Sequence, residues 1–569
     1  MPSDMSPATS ARQPLAQLAG RALCVLALLW LPLAHAAAPS AAIASAHPLA
    51  TAAGRHALAQ GGNAFDAAVA VAAVLAVVEP YSSGLGGGGF WLLHRGADGH
   101  QVMVDGRETA PAAARPESYL DSGGRPVPGA TTRGGTSVGI PGTPAAMAHV
   151  ARGYGKLPLA QLLAPAIELA RNGFPVDNRY LRITRLREAR LRETGAGRIY
   201  LEDGRAPQAG FVLRQPELAV TLEKLGLEGE PGFYRGPVGR ALATAVNAAG
   251  GAWQPTDLAR YRVIEREPVR FKFRGARITA AALPSAGGVA LAQAFAMIER
   301  FSLGPAGEPD TAHLVAEALR RAFHDRARFL GDPDHAAVPL ARLLDRDYLA
   351  HRAGTIDFAA ASPSENLSGA LLKESSGNTT HFSVIDPAGN RVAATLTINW
   401  LFGSGIVAAD TGVLLNNEID DFTVHTDVPN SYRLRGSTAN TIAPGKRPLS
   451  SMTPTFVEDD KGVLVVGAPG GSRIVSQVLL AVLEYLRMRE VDLGRLVAMP
   501  RYHHQYWPDR IEIEPDSFET EWQAALRAKG HVVQTANRKW GNMQAVFKSK
   551  RTGEAAAASD PRGADVGWY

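Results

Sequence analysis

Cysteine is almost absent from this sequence of 569 residues, whose single cysteine is Cys24. It lies within a short apolar run at positions 22–34, which follows Arg21 and leads to a small-x-small motif ending at Ala36. Basic residues, a short apolar run and such a motif are typical of a secretory signal peptide, so we predict that residues 1–36 are removed. The mature chain then has no cysteine. This excludes disulfides, thiolate nucleophiles and cysteine-type zinc sites.

Long apolar runs are also missing. The run at 22–34 has about 13 residues and contains Pro32, whereas roughly 20 apolar residues are needed to span a bilayer. A second apolar run follows Asn63 but carries Asp66. We therefore favour secretion over a membrane anchor, and predict a periplasmic or secreted protein with no membrane span in its mature form.

The sequence has no continuous basic stripe, although its net charge is +5. In the segment 317–333 the basic residues alternate with acidic and apolar ones, which predicts an amphipathic helix with a solvated face. We therefore do not expect nucleic-acid binding.

Motifs for metals and cofactors are lacking too. His503 and His504 do not belong to an H-E-x-x-H pattern, and there is no Gly-Lys-Ser/Thr. The glycine loop at 84–89 has dinucleotide-type spacing, but a predicted helix precedes it and a predicted strand follows it, the reverse of that fingerprint. We predict no metal and no cofactor.

What the sequence does contain is typical of an ordinary globular protein with a substantial core: 46% hydrophobic and 20% charged residues. A helix capped by Asn63 and ended by Pro80 is apolar nearly all round, which predicts burial. Strands are predicted at 89–95 and 101–108, and a helical middle follows. From about Lys373 strands alternate with glycine-rich turns, with a last helix near 471–489.

A hairpin is predicted around the turn sequence DPAGN. If Ile385 and Arg391 are opposite each other, antiparallel pairing places Thr379 opposite Thr397. Opposed Cβ atoms lie about 4.5–5.5 Å apart, so the two hydroxyls can hydrogen-bond, and Asn399 leans to the same face. By itself this segment favours an ordinary threonine pair on a solvated face of a sheet.

Other polar clusters are equally ambiguous alone. Glu418, Asp420 and Asp421 end one probable strand, Ser450 and Ser451 precede another, and a Gly-Gly-Ser stretch joins a strand to a helix. Each is compatible with a turn, a helix cap or a surface pair.

Together these motifs resemble one known family. NTTHFSVID, GVLLNNEIDDF, KRPLSSMTPT, GAPGGSR, SGLGGGGF, DGRETAP and PRYHHQ are similar to the gamma-glutamyltranspeptidase (glutathione hydrolase) family, over nearly all of residues 45–569. The resemblance implies an α+β fold of the N-terminal-nucleophile hydrolase type, a four-layer αββα sandwich. It also implies a precursor that cuts itself between Asn378 and Thr379. The products would be a large subunit, 37–378, and a small catalytic subunit, 379–569, that associate noncovalently as one unit.

The resemblance also implies roles for the site residues. Thr379 would be the nucleophile, because cleavage frees its α-amino group, whose ordinary pKa of about 7.7–8.0 suits it to act as the base. The remaining roles implied by the family are a threonine that holds the nucleophile (Thr397), an oxyanion hole (Gly470, Gly471), partners for a donor carboxylate (Arg107, Ser450, Ser451), partners for a donor ammonium (Asn399, Glu418, Asp421) and a lid residue (Tyr432). Without the family, Arg107 would indicate an exposed ion pair with Glu108 or Asp105.

The implied function is transfer of the γ-glutamyl group of glutathione or related compounds to water, amino acids or peptides. Trp400 departs from the family pattern, in which many members have a smaller residue, so the acceptor side of the pocket is expected to be narrower or more apolar. Two alternatives stay open: a cephalosporin (glutaryl) acylase of the same fold, and a catalytically inert secreted binding protein.

Overall fold

Two antiparallel sheets organise the structure, a computed structural model that describes residues 40–367, 379–425, 428, 430–431 and 433–563. The predicted signal peptide, Asn378 at the predicted cleavage site and the predicted lid residue Tyr432 lie outside the described residues.

The strands are β1 (Ala42–Ser45), β2 (Gly88–His94), β3 (Gln101–Gly106), β4 (Phe174–Pro175), β5 (Val212–Leu213), β6 (Ile264–Arg266), β7 (Val269–Phe273), β8 (Ala276–Ala280), β9 (Thr380–Ile385), β10 (Arg391–Thr397), β11 (Val407–Ala408), β12 (Val413–Leu414), β13 (Thr455–Glu458), β14 (Gly462–Gly467), β15 (Tyr502–His503), β16 (Ile511–Ile513), β17 (Val533–Thr535), β18 (Gln544–Ser549) and β19 (Ala555–Ser559).

The α-helices are α1 (Pro48–Ala59), α2 (Ala64–Val78), α3 (Thr143–Tyr154), α4 (Leu159–Asn172), α5 (Asn178–Arg192), α6 (Gly197–Tyr200), α7 (Pro216–Glu228), α8 (Glu230–Tyr234), α9 (Gly236–Ala248), α10 (Pro255–Arg260), α11 (Gly287–Ile298), α12 (Pro309–Phe329), α13 (Leu340–Leu343), α14 (Arg346–Gly354), α15 (Arg473–Arg487), α16 (Leu493–Ala498) and α17 (Thr520–Ala528). None of the described helices is long and apolar enough to cross a bilayer.

Each large sheet combines strands from both sides of Thr379. The first sheet has the order β1-β9-β10-β2-β3-β6 and the second the order β19-β18-β14-β13-β8-β7, with antiparallel neighbours throughout. In the first sheet β9 pairs with β1 and β10 with β2; in the second, β13 pairs with β8. A chain cut just before Thr379 would therefore stay joined through both sheets.

The alternation of side chains along β2 defines the layers. Trp91 and Leu93 pack with α2 in one core cluster, whereas Phe90 and Leu92 pack against the second sheet in another. That second cluster continues into α11, α12 and α15 beyond the second sheet. The order of layers is thus helix, sheet, sheet, helix, and the predicted four-layer sandwich is confirmed.

Helix α2 is as buried as its sequence predicts. Asn63 caps it, accepting from the backbone N–H of Asp66, whose carboxylate accepts from the N–H of Asn63 in return. All 15 residues of the helix are buried. Their small, apolar side chains let a helix without a polar face pack between its neighbours and the first sheet.

Two predictions about helices are wrong. The helix at 471–489 is not the last, because α16 and α17 follow it. The segment 317–333 has no solvated face along most of α12: Glu317, Arg320 and Arg321 are buried. Glu317 pairs with both arginines, accepting from Arg320 at 3.1 Å and from Arg321 at 2.6 Å. Asp509 is a second carboxylate that pairs with Arg320.

Candidate active site

The predicted hairpin is present with the predicted register. Arg391 pairs with Ile385 and Leu396 with Thr380, so Thr379 stands directly before β9 while Thr397 ends β10 beside it. Thr379 and Thr397 are each 3% exposed, so the alternative of a threonine pair on a solvated face is wrong.

Thr380, the residue after Thr379, is anchored to the part of the chain that precedes the predicted cleavage site. Thr380 donates its hydroxyl to Glu79 at 2.8 Å, and Tyr81 donates to the other oxygen of the same carboxylate at 3.1 Å. Arg179 lies 3.3 Å from Glu79 and stacks over Tyr81. This buried network fixes the start of β9, and sequence reasoning missed it because nothing marks Glu79 as a partner of a strand some 300 residues away.

This anchor gives a stability prediction. Thr380→Val keeps the shape of the side chain but leaves a buried oxygen of Glu79 without its donor, so we expect a loss of about 1–3 kcal/mol in the free energy of unfolding. The free energy of unfolding would be measured by urea denaturation. Both proteins would also carry Thr379→Ala, so that neither chain is cut. The exposed Thr552→Val should change stability by less than about 0.5 kcal/mol. An equally small effect of Thr380→Val would show that the anchor contributes nothing.

Most of the predicted site residues meet in one pocket. Its lining includes Arg107, Thr379, Thr397, Glu418, Asp421, Ser450, Ser451 and Gly471. Arg107 follows β3, Glu418 and Asp421 lie on one short 3-10 helix after β12, and the two serines precede β13. The two sheets therefore bring together side chains that are more than 300 residues apart in sequence.

Arg107 is at the centre of an ion-pair cluster. It is fully buried, and its guanidinium donates to Glu418, to Asp421 at 2.5 Å and, more weakly, to Glu108 at 3.4 Å. The backbone carbonyl of Pro448 accepts from its Nε at 3.2 Å. An exposed pair with Glu108 or Asp105 is therefore excluded.

Burial changes the acidity of these carboxyl groups. It raises the pKa of Glu108 to about 7 and that of Glu418 well above its usual value, with Arg107 opposing both shifts. It also raises the pKa of Asp421, again against Arg107. Burial thus disfavours the charged form of these carboxyl groups, and the neighbouring Arg107 partly offsets that effect.

Three polar atoms of this pocket are buried without a hydrogen-bond partner among the described residues: Glu418 Oε2, Ser451 Oγ and Arg326 Nε. A buried unsatisfied polar group costs about 1–3 kcal/mol, so such groups are rare unless something else satisfies them. Glu418 Oε2 is an acceptor, Arg326 Nε is a donor, and the Ser451 hydroxyl can act as either. The pocket therefore offers both acceptor and donor atoms to a ligand.

The glycine turn before α15 borders the same pocket. Gly470 and Gly471 have φ values of +131° and +60°, a backbone region that favours glycine. Gly471 and Ser472 line the pocket. The backbone N–H groups of Gly470 and Gly471 donate to no acceptor in the described part of the chain.

Asn399 and Trp400 lie beside the pocket. Asn399 is not among its lining residues; its N–H donates to Thr397 Oγ1 at 2.8 Å and its side-chain amide to the Asn417 carbonyl at 2.8 Å. The Trp400 indole donates to Ser431 Oγ at 2.9 Å, and the Arg187 guanidinium lies 5.3 Å from its ring centroid. Trp400 therefore links Arg187 on α5 to Ser431, which precedes the predicted lid residue Tyr432 in sequence.

Sequence reasoning missed Arg326, a pocket residue on the last turn of α12. The reason is the incorrect expectation of a solvated helix face. The sequence did contain an indication that this helix face is buried. Glu317 precedes Arg320 and Arg321 by three and four residues, a spacing that lets the charges pair within a helix.

One group among the residues that the structure describes has metal-like spacing. Potential ligand atoms of His313, Glu317 and His531 lie within 4.8 Å of one another, but the two imidazoles hydrogen-bond to each other at 2.8 Å and Glu317 is paired with arginines. His503 and His504 are buried and contact Ser476 at 2.7 Å and Asp509 at 3.2 Å, respectively.

The fold and the pocket define an N-terminal-nucleophile hydrolase. The model of the gamma-glutamyltranspeptidase family matches residues 50–568. A glutathione hydrolase proenzyme of Pseudomonas aeruginosa is 40% identical over 516 residues, covering 89% of this chain and 90% of that protein. The chain therefore belongs to the gamma-glutamyltranspeptidase family, and the predicted enzyme class is confirmed.

Acylases are also among its relatives. The Acylase ACY 1 proenzyme of Pseudomonas sp. (strain SE83) is 37% identical over 513 residues, covering 88% of each chain. The crystal structure of a cephalosporin acylase from Bacillus halodurans superposes with a TM-score of 0.79 at 27% identity, covering 92% of this chain and 95% of that one.

Proposed function

We propose that this protein is a self-processing γ-glutamyl transferase and hydrolase that acts on glutathione or related γ-glutamyl compounds. The observation that supports this most strongly is the charge pattern beside Thr379. A buried pocket with an unsatisfied carboxylate oxygen and unsatisfied donors is complementary to the α-amino acid end of a γ-glutamyl group.

Thr379 is the proposed nucleophile. Cleavage after Asn378 turns its amide nitrogen into a free α-amino group, which takes the proton of the hydroxyl as that hydroxyl attacks the γ-carbonyl. The carbon–nitrogen bond of the γ-amide breaks, the leaving amine takes the proton from the α-ammonium of Thr379, and a γ-glutamyl ester forms on Thr379 Oγ1. Water or the amine of an acceptor then attacks the ester and regenerates the enzyme. Thr397, at the end of β10, holds the nucleophile in place.

The donor is recognised by an exchange of ion pairs. In the structure Arg107 is paired with Glu418 and Asp421. A zwitterionic donor supplies one charge to each side: its carboxylate to Arg107, Ser450 and Ser451, and its ammonium to Glu418, Asp421 and the side-chain oxygen of Asn399. Because every charge keeps an opposite partner, binding strands no buried charge.

Gly470 and Gly471 form the proposed oxyanion hole. Their N–H groups lie on the turn that borders the pocket, and glycine has no side chain to hinder approach to the tetrahedral intermediate. Tyr432 is proposed to cover the site as part of a lid, which would exclude water from the acyl-enzyme.

The mature enzyme is proposed to consist of a large subunit, 37–378, and a small catalytic subunit, 379–569, held together noncovalently. The strand pairs that cross the cut, β1 with β9, β2 with β10 and β8 with β13, support this association. The apolar run at 22–34 supports a periplasmic or secreted location.

A cephalosporin (glutaryl) acylase is the second candidate, because one relative is named an acylase and one similar structure a cephalosporin acylase. A glutaryl group has the carboxylate but no ammonium, so it would leave Glu418 and Asp421 paired only with Arg107. The unsatisfied Glu418 oxygen favours the γ-glutamyl donor.

A panel of anilides would test the proposal. We expect kcat/KM to be highest for the γ-glutamyl anilide and at least about tenfold lower for the glutaryl and α-glutamyl anilides, because each of these misplaces or lacks one charge. Parallel assays with an amino-acid acceptor would show transfer. Preference for the glutaryl anilide would support the acylase, and no turnover of any donor would support the inert binding protein.

A further inference from the structure

We propose that Arg326 binds the α-carboxylate of the donor together with Arg107, so that two guanidinium groups hold one carboxylate. This inference rests on the proposed function and adds a residue to it.

Arg326 is buried and lines the pocket, as a group that binds the donor carboxylate must. It is 4% exposed, on the last turn of α12, and it lines the pocket that contains Thr379 and Ser451. Within the described residues no carboxylate lies at ion-pair distance from it, and its buried Nε has no hydrogen-bond partner. Arg107 differs: its guanidinium is already occupied by Glu418 and Asp421.

A buried cation without a counterion is unfavourable. Burial lowers the pKa of Arg326 to about 10, with Arg107 acting in the same direction and Asp421 against it. The side chain therefore stays charged at neutral pH. A carboxylate that enters this pocket supplies the missing counterion, and Ser451 Oγ is an additional donor on the same wall.

The main rival role is electrostatic support of Asp421. In that case Arg326 would neutralise a carboxylate that binds the donor ammonium, and would never touch the donor carboxylate. The two roles predict effects on different donor substrates. A carboxylate contact matters only to donors with a carboxylate, whereas support of Asp421 matters to every donor with an ammonium.

Arg326→Gln should separate them, using the γ-glutamyl anilide and the decarboxylated 4-aminobutyryl anilide with enzyme in excess, so that slow turnover is measurable. We expect kcat/KM to fall about 10- to 100-fold for the γ-glutamyl anilide, and less than about threefold for the 4-aminobutyryl anilide. Arg326→Lys should recover part of the loss. The exposed Arg328→Gln, on the same helix, is the matched control and should change neither rate.

Similar losses on both donors, or no loss on either, would overturn the proposal. If Arg326→Gln fails to fold or to cut itself, Arg326→Lys still decides the question, because a smaller loss must again be confined to the γ-glutamyl donor. Failure of the proposed function is recognised separately, since wild-type enzyme would then not hydrolyse the γ-glutamyl anilide.

Discussion

A Thr379→Ala variant is expected to accumulate as a folded, uncut chain whose activity on a γ-glutamyl anilide is lower on the order of 10⁴-fold or more. Alanine has no hydroxyl to attack the carbonyl of Asn378, so the chain is not cut and no α-amino group is freed. Alanine also cannot form the acyl ester. Folding should persist, because Thr380 keeps its hydrogen bond to Glu79 and the pairing of β9 with β10 is unchanged.

Thr379→Ser is the matched control for that variant. It keeps the hydroxyl and loses one methyl group, so it should still cut itself, more slowly, and retain measurable turnover. A denaturing gel and an anilide assay of both variants would suffice. An alanine variant that cut itself normally, or that hydrolysed the anilide at the wild-type rate, would show that the nucleophile is another residue.

Arg107→Lys is expected to lower kcat/KM for the γ-glutamyl anilide by about 2–4 kcal/mol, or roughly 30- to 1,000-fold. Lysine keeps the positive charge but cannot reproduce the planar guanidinium that now donates to Glu418, Asp421 and the Pro448 carbonyl. The loss should be at least about tenfold smaller for the 4-aminobutyryl anilide. That donor has no carboxylate, and the lysine still neutralises the two acids.

Self-cleavage is the internal control for Arg107→Lys. No substrate carboxylate takes part in cutting the chain, so the variant should still yield two chains. Equal losses on the two anilides would mean that Arg107 maintains the pocket and does not recognise the donor carboxylate.

Local pattern was enough to predict the hairpin and helix α2. The register of β9 and β10 follows from a short turn and the two-residue period of strands, which together place Thr379 beside Thr397. Helix α2 follows from its cap and its unbroken apolar run. The four-layer arrangement came from the family resemblance, since no local pattern states which face of a sheet packs against another sheet.

Long-range charge pairing could not be predicted from sequence. Glu317, Arg320, Arg321 and Arg326 have the composition of a solvated helix face, yet the fold buries all four. Arg320 pairs with Asp509 and Arg321 donates to Thr355, and both of these partners lie outside the helix. Likewise, the family resemblance implied that Arg107 and the acids serve opposite ends of a ligand, but not that they pair with each other. Such pairing depends on the approach of chain segments about 300 residues apart.

The most direct test of the central claim is N-terminal sequencing of the purified mature protein after a denaturing gel. We expect two bands without reducing agent, because the predicted mature chain has no cysteine that could link them. The smaller chain should begin Thr-Thr-His-Phe at Thr379. A single uncut band with full γ-glutamyl hydrolase activity, or a smaller chain that begins at any other residue, would contradict it.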